Sequence, residues 1–298
     1  MTATFPLIQR RRVIGLSFAA MQSVRRGAGS DVAGSRPYRP GDDARKIDWP
    51  ASARLSLARG GDEFVVREHF AEEAPRVVVV ADRAPSMSLY PEPWLSKPDV
   101  VKAAIALITA SAAAVRSFVG YFDYAEGRPY WVPPRSQRGL AQRAGSRPFA
   151  APPDALTRSL LDLERRRRDL PAGSFVFLLS DFLLPPPRET WLRAVRRRWD
   201  VVPVLIQDPV WEQSFPDVGG IVVPFVDPGT GELRPAALTS VEAARLRAQN
   251  EDRREELVRL LRTLDLDPVL LSSADPRDVL ASFLAWADRR FYSRGRRA

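Results

Sequence analysis

The chain contains 298 residues, in which 45 lysines and arginines outnumber 36 aspartates and glutamates and give a formal net charge of +9. This length suits one large domain or two small ones, and the 45% of apolar residues suffices for a buried core, which excludes disordered and fibrous proteins. The absence of cysteine excludes disulfides and thiolate metal sites, and the single histidine, His69, disfavours most water-activating and acyl-transfer enzymes.

The first 75 residues are predicted to form a separate segment. Glycines and prolines break residues 27–41 into short pieces, and residues 53–57 and 63–67 then alternate like strands. Gly60 and Gly61 are predicted to form the turn between these strands, because glycine adopts positive φ. We therefore expect an N-terminal hairpin-containing segment over residues 1–75.

From residue 76 onward, short apolar runs alternate with helical patterns, which predicts a parallel sheet covered by helices. Residues 76–82 and 174–183 are predicted to be central strands, because they are almost continuously apolar. Further strands are predicted over 118–124, 130–132, 201–207, 221–226 and 269–272, with helices over 97–117, 154–168, 188–199, 239–263 and 276–291. The predicted fold is an α/β domain with a doubly wound, mostly parallel sheet over residues 76–292, followed by a basic tail over 293–298.

Sheets of this kind bind ligands beyond the carboxyl ends of their strands, where this sequence places Asp82 and Asp181. The run Asp-Arg-Ala-Pro-Ser-Met-Ser over residues 82–88 resembles the metal-ion-dependent adhesion motif D-x-S-x-S of von Willebrand factor A-like domains. The resemblance implies a divalent cation, with Mg²⁺ the candidate, bound by hydroxyl and carboxylate oxygens, and Asp181 matches the second aspartate of such sites.

The adhesion motif is incomplete. Ala84 stands in place of the first serine, and no threonine occurs between residues 110 and 156 to supply the middle-loop ligand. Asp82, Ser86 and Asp181 remain as candidate metal ligands, and Mg²⁺ held by few protein ligands keeps several waters. The missing ligands favour the alternative, in which Asp82 and Asp181 cap the turns that follow their strands.

The most distinctive string is Tyr-Arg-Pro-Gly-Asp-Asp-Ala-Arg-Lys-Ile-Asp-Trp over residues 38–49, followed by Ala-Ser-Ala-Arg over 51–54. Pro40 and Gly41 predict a turn, and Asp42 or Asp43 is placed to cap a short helical turn. We expect the charges in this string to interlock away from solvent beneath an aromatic cover; these residues are Arg45, Asp48, Arg54 and Trp49.

The Gly-Asp-Asp-x-Arg-x-Ile-Asp-Trp string, with a strand-end aspartate and a later Ser-Asp-Phe, resembles the bacterial "domain of unknown function 58" proteins over roughly residues 14–200. The resemblance implies a von Willebrand factor A-like fold and a role beside a MoxR-type AAA+ ATPase in the maturation or activation of client proteins. Many relatives carry two N-terminal membrane helices. This chain contains no run of about 18 to 20 uncharged apolar residues, so we expect the short soluble branch and a cytoplasmic location.

We predict a non-enzymatic interaction module whose strand-end loops, residues 82–88 and 181–187, meet an acidic side chain of a partner, with or without Mg²⁺. Without the cation, Arg83 is expected to bind that carboxylate by a bidentate pair, with Ser88 in the same surface. In the N-terminal segment, the expected interaction residues are Asp42, Asp43, Arg45, Asp48, Trp49 and Arg54.

Three alternatives have less support. A divalent-metal phosphohydrolase would use four carboxylates, those of Asp42, Asp43, Asp82 and Asp181. Nucleic-acid binding would use the arginine runs at 10–12, 165–168, 196–198 and 294–297, but aromatic residues are not interleaved with these runs. Residues 60–64 spell the Gly-Gly-Asp-Glu-Phe signature of diguanylate cyclases, but the other parts of that active site are missing, so we reject this activity.

Overall fold

A computed structural model of the chain describes residues 3–9, 22–39, 42, 45, 47–61, 63–72, 76–89, 94–135, 139–166, 168–226 and 233–295. The chain divides into two compact units, one of Arg11–Pro75 and a larger one of Met1–Arg10 together with Arg76–Ala298. The first ten residues therefore belong with the larger unit, and not with the N-terminal segment in which the sequence placed them.

The N-terminal unit contains two antiparallel strands, β1 (Gln22–Pro37) and β2 (Val65–Glu72), and one helix, α1 (Trp49–Arg59). The predicted strand over residues 53–57 is wrong, because these residues lie inside α1. The Asp48 carboxylate caps the helix by accepting the N–H of Ala51 at 3.1 Å, and Gly60 ends it with a φ of 71°. Gly60 thus ends a helix and does not form a hairpin turn.

The strands of the larger unit lie at the predicted positions, except for the strand Leu233–Leu238, which the sequence analysis does not predict. They are β3 (Arg76–Ala81), β4 (Phe118–Asp123), β5 (Tyr130–Arg135), β6 (Phe175–Ser180), β7 (Asp200–Ile206), β8 (Ile221–Val226), β9 (Leu233–Leu238) and β10 (Val269–Leu271). Six of them form one sheet in the order β10-β7-β6-β3-β4-β5, in which only the β4–β5 pair is antiparallel. β8 and β9 form a separate antiparallel pair. The prediction of an α/β fold with a mostly parallel sheet is confirmed.

The helices of the larger unit connect these strands. They are α2 (Lys97–Ala114), α3 (Leu140–Gly145), α4 (Ala155–Arg165), α5 (Arg188–Arg196), α6 (Ser240–Thr263) and α7 (Pro276–Gly295). Thr239 caps α6: its hydroxyl accepts the N–H of Glu242 at 3.2 Å, and the Glu242 carboxylate accepts the N–H of Thr239 at 2.8 Å. The sequence did not predict α3, which is only six residues long. Among the described residues, no helix has the length and apolarity needed to cross a bilayer.

The order of the strands reverses at the centre of the sheet. The chain runs from β3 outward to β4 and β5, and then returns to the other side of β3 with β6, β7 and β10. The neighbouring strands β3 and β6 end together, and the N–H of Asp82 donates to the carbonyl oxygen of Leu179 at 2.8 Å. Ligand crevices form where the strand order reverses, so a functional site is expected at this edge of the sheet.

Phe5 explains why the first residues belong to the larger unit. Its buried ring packs against α7, with centroids 4.6 Å from Phe283 and 5.9 Å from Trp286, and against Phe177 of β6 at 6.3 Å. Its N–H donates to the hydroxyl of Ser111 at 3.0 Å. The N-terminal residues therefore complete the core on this face of the sheet.

Replacing Phe5 with alanine is expected to lower the free energy of unfolding of the larger unit by about 3 kcal/mol, because a large buried ring leaves a cavity. Urea denaturation followed by circular dichroism measures this change. Val241→Ala is a suitable control, since Val241 is 77% exposed on α6. Equal stabilities of the Phe5→Ala and Val241→Ala variants would contradict this assignment of Phe5 to the core.

Candidate functional site

Two carboxylates lie at the carboxyl ends of the central strands and cap the turns that follow. Asp82 accepts the hydroxyl of Ser180 at 2.7 Å through Oδ2 and the N–H of Ala84 at 2.9 Å through Oδ1. Asp181 is buried, and its Oδ1 accepts the N–H of Leu183 at 3.1 Å. This is the turn-capping arrangement that the sequence left open as the alternative to metal binding.

A buried ammonium group pairs with the second of these carboxylates. Lys97, in the first turn of α2, is fully buried, and its Nζ lies 3.0 Å from Oδ2 of Asp181. The same Nζ also contacts Oε1 of Glu212, which lies in the loop after β7. One cation therefore connects the start of α2 with the loops that follow β6 and β7.

Hydrogen bonds between side chains and backbone groups also hold this cluster in place. The second oxygen of Glu212 accepts the N–H of Asp208 at 2.9 Å, and the Asp208 carboxylate accepts the N–H of Leu95 at 2.9 Å. Gln207 donates from its side-chain amide to the carbonyl oxygen of Asp181 at 2.7 Å. The segment before α2 and the loop after β7 are thus held together through buried polar groups.

The sequence analysis did not predict four residues of this cluster; they are Lys97, Gln207, Asp208 and Glu212. Two signals were available: Lys97 is one of only three lysines in the chain, and Asp208 follows a buried strand almost directly, as Asp82 and Asp181 do. Neither signal identifies the partner of the ammonium, because Lys97 is separated from Asp181 by 84 residues and from Glu212 by 115.

Burial shifts the ionisation of two carboxyl groups in this region. Desolvation raises the pKa of Asp82 to about 6, and the neighbouring negative charge of Asp181 raises it further in the same direction. Desolvation likewise raises the pKa of Glu212 to about 7, against the opposing effect of the Lys97 ammonium. At neutral pH the Asp82 carboxyl group is therefore mostly ionised, although desolvation makes the ionised form costly.

The backbone turns sharply just after Asp181. Phe182 has a φ of 50°, an uncommon conformation for a residue other than glycine. Its buried ring lies 5.9 Å from that of Trp191, and its N–H donates to the hydroxyl of Ser180 at 2.9 Å. These contacts hold the turn that directs the chain away from the strand.

The candidate metal ligands do not fit Mg²⁺ in this arrangement. Both oxygens of Asp181 are engaged, Oδ1 with the N–H of Leu183 and Oδ2 with the Lys97 ammonium, which leaves Asp82 as the one candidate carboxylate with acceptor capacity to spare. Ser86 is buried within a 3-10 turn, Pro85–Ser88. In the part of the chain that the structure describes, no group of three or more histidine, aspartate or glutamate side chains is arranged to hold a metal ion.

Arg83 occupies a structural position that does not fit its predicted role. The side chain is 1% exposed, and it donates to the Tyr121 hydroxyl from Nε at 3.1 Å and from Nη2 at 2.8 Å. It also donates to the carbonyl oxygens of Ala144 and Arg147. The guanidinium therefore joins β4 to α3 and to the residues that follow α3, and its burial leaves it inaccessible to a partner. Ser88, by contrast, is exposed, and its hydroxyl donates to the carbonyl oxygen of Pro85 at 2.7 Å.

A second ion pair supports the same segment. Asp123, at the end of β4, is fully buried and accepts two hydrogen bonds of 3.0 Å from the guanidinium of Arg147. That guanidinium lies 4.2 Å from the centroid of the Tyr130 ring. The N–H of Ala151 donates to the carbonyl oxygen of Arg83 at 2.8 Å, so residues 144–151 are held against the end of β3.

Between this segment and the strand ends lies a groove of about 930 Å³, referred to below as the strand-end groove. Asp82 and Asp181 lie among its lining residues, and Leu184 on its wall is 65% exposed. The remaining lining residues are Ala84, Pro85, Ser86, Glu126, Gly127, Phe149, Ala150, Ala151, Pro152, Pro153, Arg158 and Leu183. The groove is thus largely apolar with a few charged groups.

The acidic residues of the Gly-Asp-Asp string have local structural contacts. Asp42 accepts the N–H of Arg39 at 2.8 Å, and Asp48 caps α1 and donates its N–H to the carbonyl oxygen of Val65 at 2.8 Å. Asp43 lies outside the described residues. Asp42 belongs to a different unit from Asp82 and Asp181, which the phosphohydrolase alternative would have to combine.

The other predicted residues of that string are exposed. Arg45 and Arg54 are both at the surface, and Nε of Arg54 donates to the carbonyl oxygen of Pro50 at 3.1 Å. Trp49 is 61% exposed and packs edge-on against Phe64, with centroids 6.1 Å apart. The expectation that these charges lie away from solvent beneath Trp49 is therefore wrong for Arg45 and Arg54.

A family model described as "Protein of unknown function DUF58" matches residues 34–258. The chain belongs to the DUF58 family. The matched range contains the Gly-Asp-Asp string, both strand-end aspartates, Lys97 and Glu212. The resemblance inferred from the sequence is confirmed at the level of the family.

The curated relatives of this DUF58 chain are mycobacterial. The uncharacterized proteins Rv1480 of Mycobacterium tuberculosis and Mb1516 of Mycobacterium bovis are each 29% identical to it over 207 residues, which is 68% of this chain. The alignment covers 62% of each relative, so the chain spans less than two thirds of their length.

Two solved structures show a distant likeness. BatB from Bacteroides thetaiotaomicron is 12% identical with a TM-score of 0.38, and the match covers 72% of this chain and 99% of that chain. The pilus adhesin SpaC from Lactobacillus rhamnosus GG is 13% identical with a TM-score of 0.42, and the match covers 73% and 30% respectively. These TM-scores are too low to support an inference about function.

Replacing Lys97 with methionine is expected to lower the free energy of unfolding by about 3 to 5 kcal/mol, because two buried carboxylates lose their cation. Lys102→Met is the matched control, since the Lys102 side chain is 55% exposed and pairs with Asp99 at the surface. We expect that control to cost less than about 1 kcal/mol. Urea denaturation measures both, and similar losses in the two variants would argue against a buried pair.

Asp82→Asn is expected to change how stability depends on pH. A carboxyl group whose folded pKa lies near 6, above its ordinary value of 3.8, stabilises the fold at low pH and loses that contribution as pH rises through 6. The asparagine variant, relative to wild type, should therefore be more stable at pH 8 than at pH 5 by on the order of 1 kcal/mol. Urea unfolding at both pH values measures this difference, with Asp217→Asn as the control, since the Asp217 side chain is 85% exposed. A difference independent of pH would refute the shift.

Proposed function

We propose that this DUF58 chain is a non-enzymatic protein-interaction module that binds a segment of a partner protein in the strand-end groove. The observation that carries this proposal is the groove itself, with a volume of about 930 Å³, apolar walls and carboxylates among its lining residues. Binding sites are typically concave, mostly apolar and equipped with a few placed polar groups. The groove also lies where the strand order reverses, which is the usual ligand position in doubly wound sheets.

The contacts of Asp181 and Glu212 support binding over catalysis. Asp181 is engaged with Lys97 and the N–H of Leu183, and Glu212 is engaged with Lys97 and the N–H of Asp208. A general base needs an oxygen within reach of the proton that it removes, and these oxygens are committed to structural contacts. The cluster is therefore suited to holding loops in place.

We further propose that the larger unit has the von Willebrand factor A-like fold. Three observations support this assignment: the central position of β3, the antiparallel edge strand β5, and the degenerate adhesion motif directly after β3. In that fold a divalent cation stands at the strand ends. Here the ammonium of Lys97 supplies the positive charge beside Asp181.

The proposed partner is a MoxR-type AAA+ ATPase, with which the family resemblance associates proteins of this kind. In this role the chain would act in the maturation or activation of client proteins. The proposal assigns the chain the task of recognition and the ATPase the task of supplying energy.

The test is the affinity of the full chain for the purified MoxR-type ATPase of the same organism, measured by isothermal titration calorimetry. Ala150→Trp is expected to weaken binding at least about tenfold, because the indole fills the groove from an exposed wall position. Val241→Trp, which adds the same side chain on the exposed face of α6, should bind like wild type. No binding by wild type, or equal affinities of the two variants, would overturn the proposal.

A further inference from the structure

The charged groups that line the strand-end groove are paired, with one exception. Asp181 has the Lys97 ammonium at 3.0 Å, and Arg158 has Asp154 at 2.7 Å. Glu126 has two guanidinium groups nearby, Arg128 at 3.4 Å and Arg147 at 3.7 Å. Of the groove carboxylates described, Asp82 alone has no described cationic side chain at ion-pair distance.

Asp82 retains the capacity to bind a cation. A carboxylate offers about four acceptor positions, and the two hydrogen bonds from Ser180 and Ala84 use only part of them. The side chain is only partly buried, and it lines the groove. Burial and the negative charge of Asp181 already raise its pKa, so a cation brought by a ligand would favour the charged form.

We propose that the strand-end groove receives a lysine or arginine side chain of a partner peptide, whose cationic group pairs with the Asp82 carboxylate. This inference rests on the proposed docking function and specifies the charge of the docked segment. It is opposite in sign to the acidic partner that the sequence predicts.

Two buried cations near the strand ends, Arg83 and Lys97, are not available to an acidic partner. The guanidinium of Arg83 is bound to Tyr121 and to backbone carbonyl oxygens, and the ammonium of Lys97 is enclosed between Asp181 and Glu212. A partner carboxylate beside Asp82 would therefore add a second negative charge with no unpaired cation among the described lining residues to offset it, since the Arg158 guanidinium on the groove wall pairs with Asp154 at 2.7 Å. Like charges at short range in a partly desolvated site repel strongly.

The walls of the groove suit the rest of such a side chain. Much of the lining is apolar, and its larger apolar residues are Pro85, Phe149, Pro152, Pro153, Leu183 and Leu184. The aliphatic stems of lysine and arginine pack on apolar surface while the charged end reaches a polar group. We therefore expect the basic residue of the partner to be flanked by apolar residues in an extended segment.

The test uses the full chain, immobilised and panned against a phage library of random heptapeptides. Selected peptides are synthesised in two forms, one with the selected basic residue and one with norleucine in its place. Affinities are measured by fluorescence polarisation for wild type, Asp82→Asn, the groove variant Ala150→Trp and the exposed control Asp217→Asn. Asp82→Asn is nearly isosteric with aspartate and keeps an oxygen that can accept the N–H of Ala84.

We expect the selected peptides to carry a lysine or arginine at one position. Asp82→Asn should bind these peptides at least about tenfold more weakly than wild type or Asp217→Asn does. The norleucine peptides should bind wild type and Asp82→Asn equally, because they lack the group that reaches Asp82. This coupling between peptide and protein changes is not produced by a general loss of structure.

Two other results would overturn the inference, and only the second would also overturn the proposed docking function. Peptides that are weakened by Ala150→Trp but carry acidic or neutral residues, or that bind Asp82→Asn as tightly as wild type, would contradict the pairing while leaving the docking function intact. Selection of no peptide that is weakened by Ala150→Trp would overturn both the pairing and the groove as a docking site.

Discussion

The buried ammonium of Lys97 is the interaction on which the strand-end region depends. A cation at the first turn of a helix meets the unfavourable end of the helix dipole, and its complete burial adds a large cost of desolvation. Both costs require anionic partners, and Asp181 and Glu212 supply them from two different loops. The helix and the two loops therefore cannot move independently without separating a buried charge pair.

This arrangement distributes the charges of the site unevenly. The Lys97 ammonium is enclosed by carboxylates that follow β6 and β7, whereas Asp82, which follows β3, receives only a hydroxyl and a backbone N–H. The cluster thus encloses the Lys97 ammonium in its interior and leaves the negative charge of Asp82 at its edge. The electrostatic character of the strand-end groove follows from this division between interior and edge.

The sequence predicts those features that depend on local pattern. Continuous apolar runs identified β3 and β6, and the position of strand ends located Asp82 and Asp181. The helix α1 was missed because its ends are determined by Asp48 and Gly60, while its interior alternates like a strand. The buried position of Arg83 depends on its contact with α3, which is too short to be recognised from periodicity. Pairing of Lys97 across more than eighty residues leaves no local pattern at all.

The enclosed lysine also has a consequence for how fast and how selectively a ligand is captured. Because the loop after β6, which lines the groove, is held to α2 by the buried Asp181–Lys97 pair, a ligand of the proposed kind would meet a preformed receptor and lose little free energy to reorganisation of the protein. Rigid docking of this kind places differences among ligands mainly in their dissociation rates. Residence time in the groove, set by how well one segment fits a fixed shape, is then the quantity on which selection among competing ligands would act.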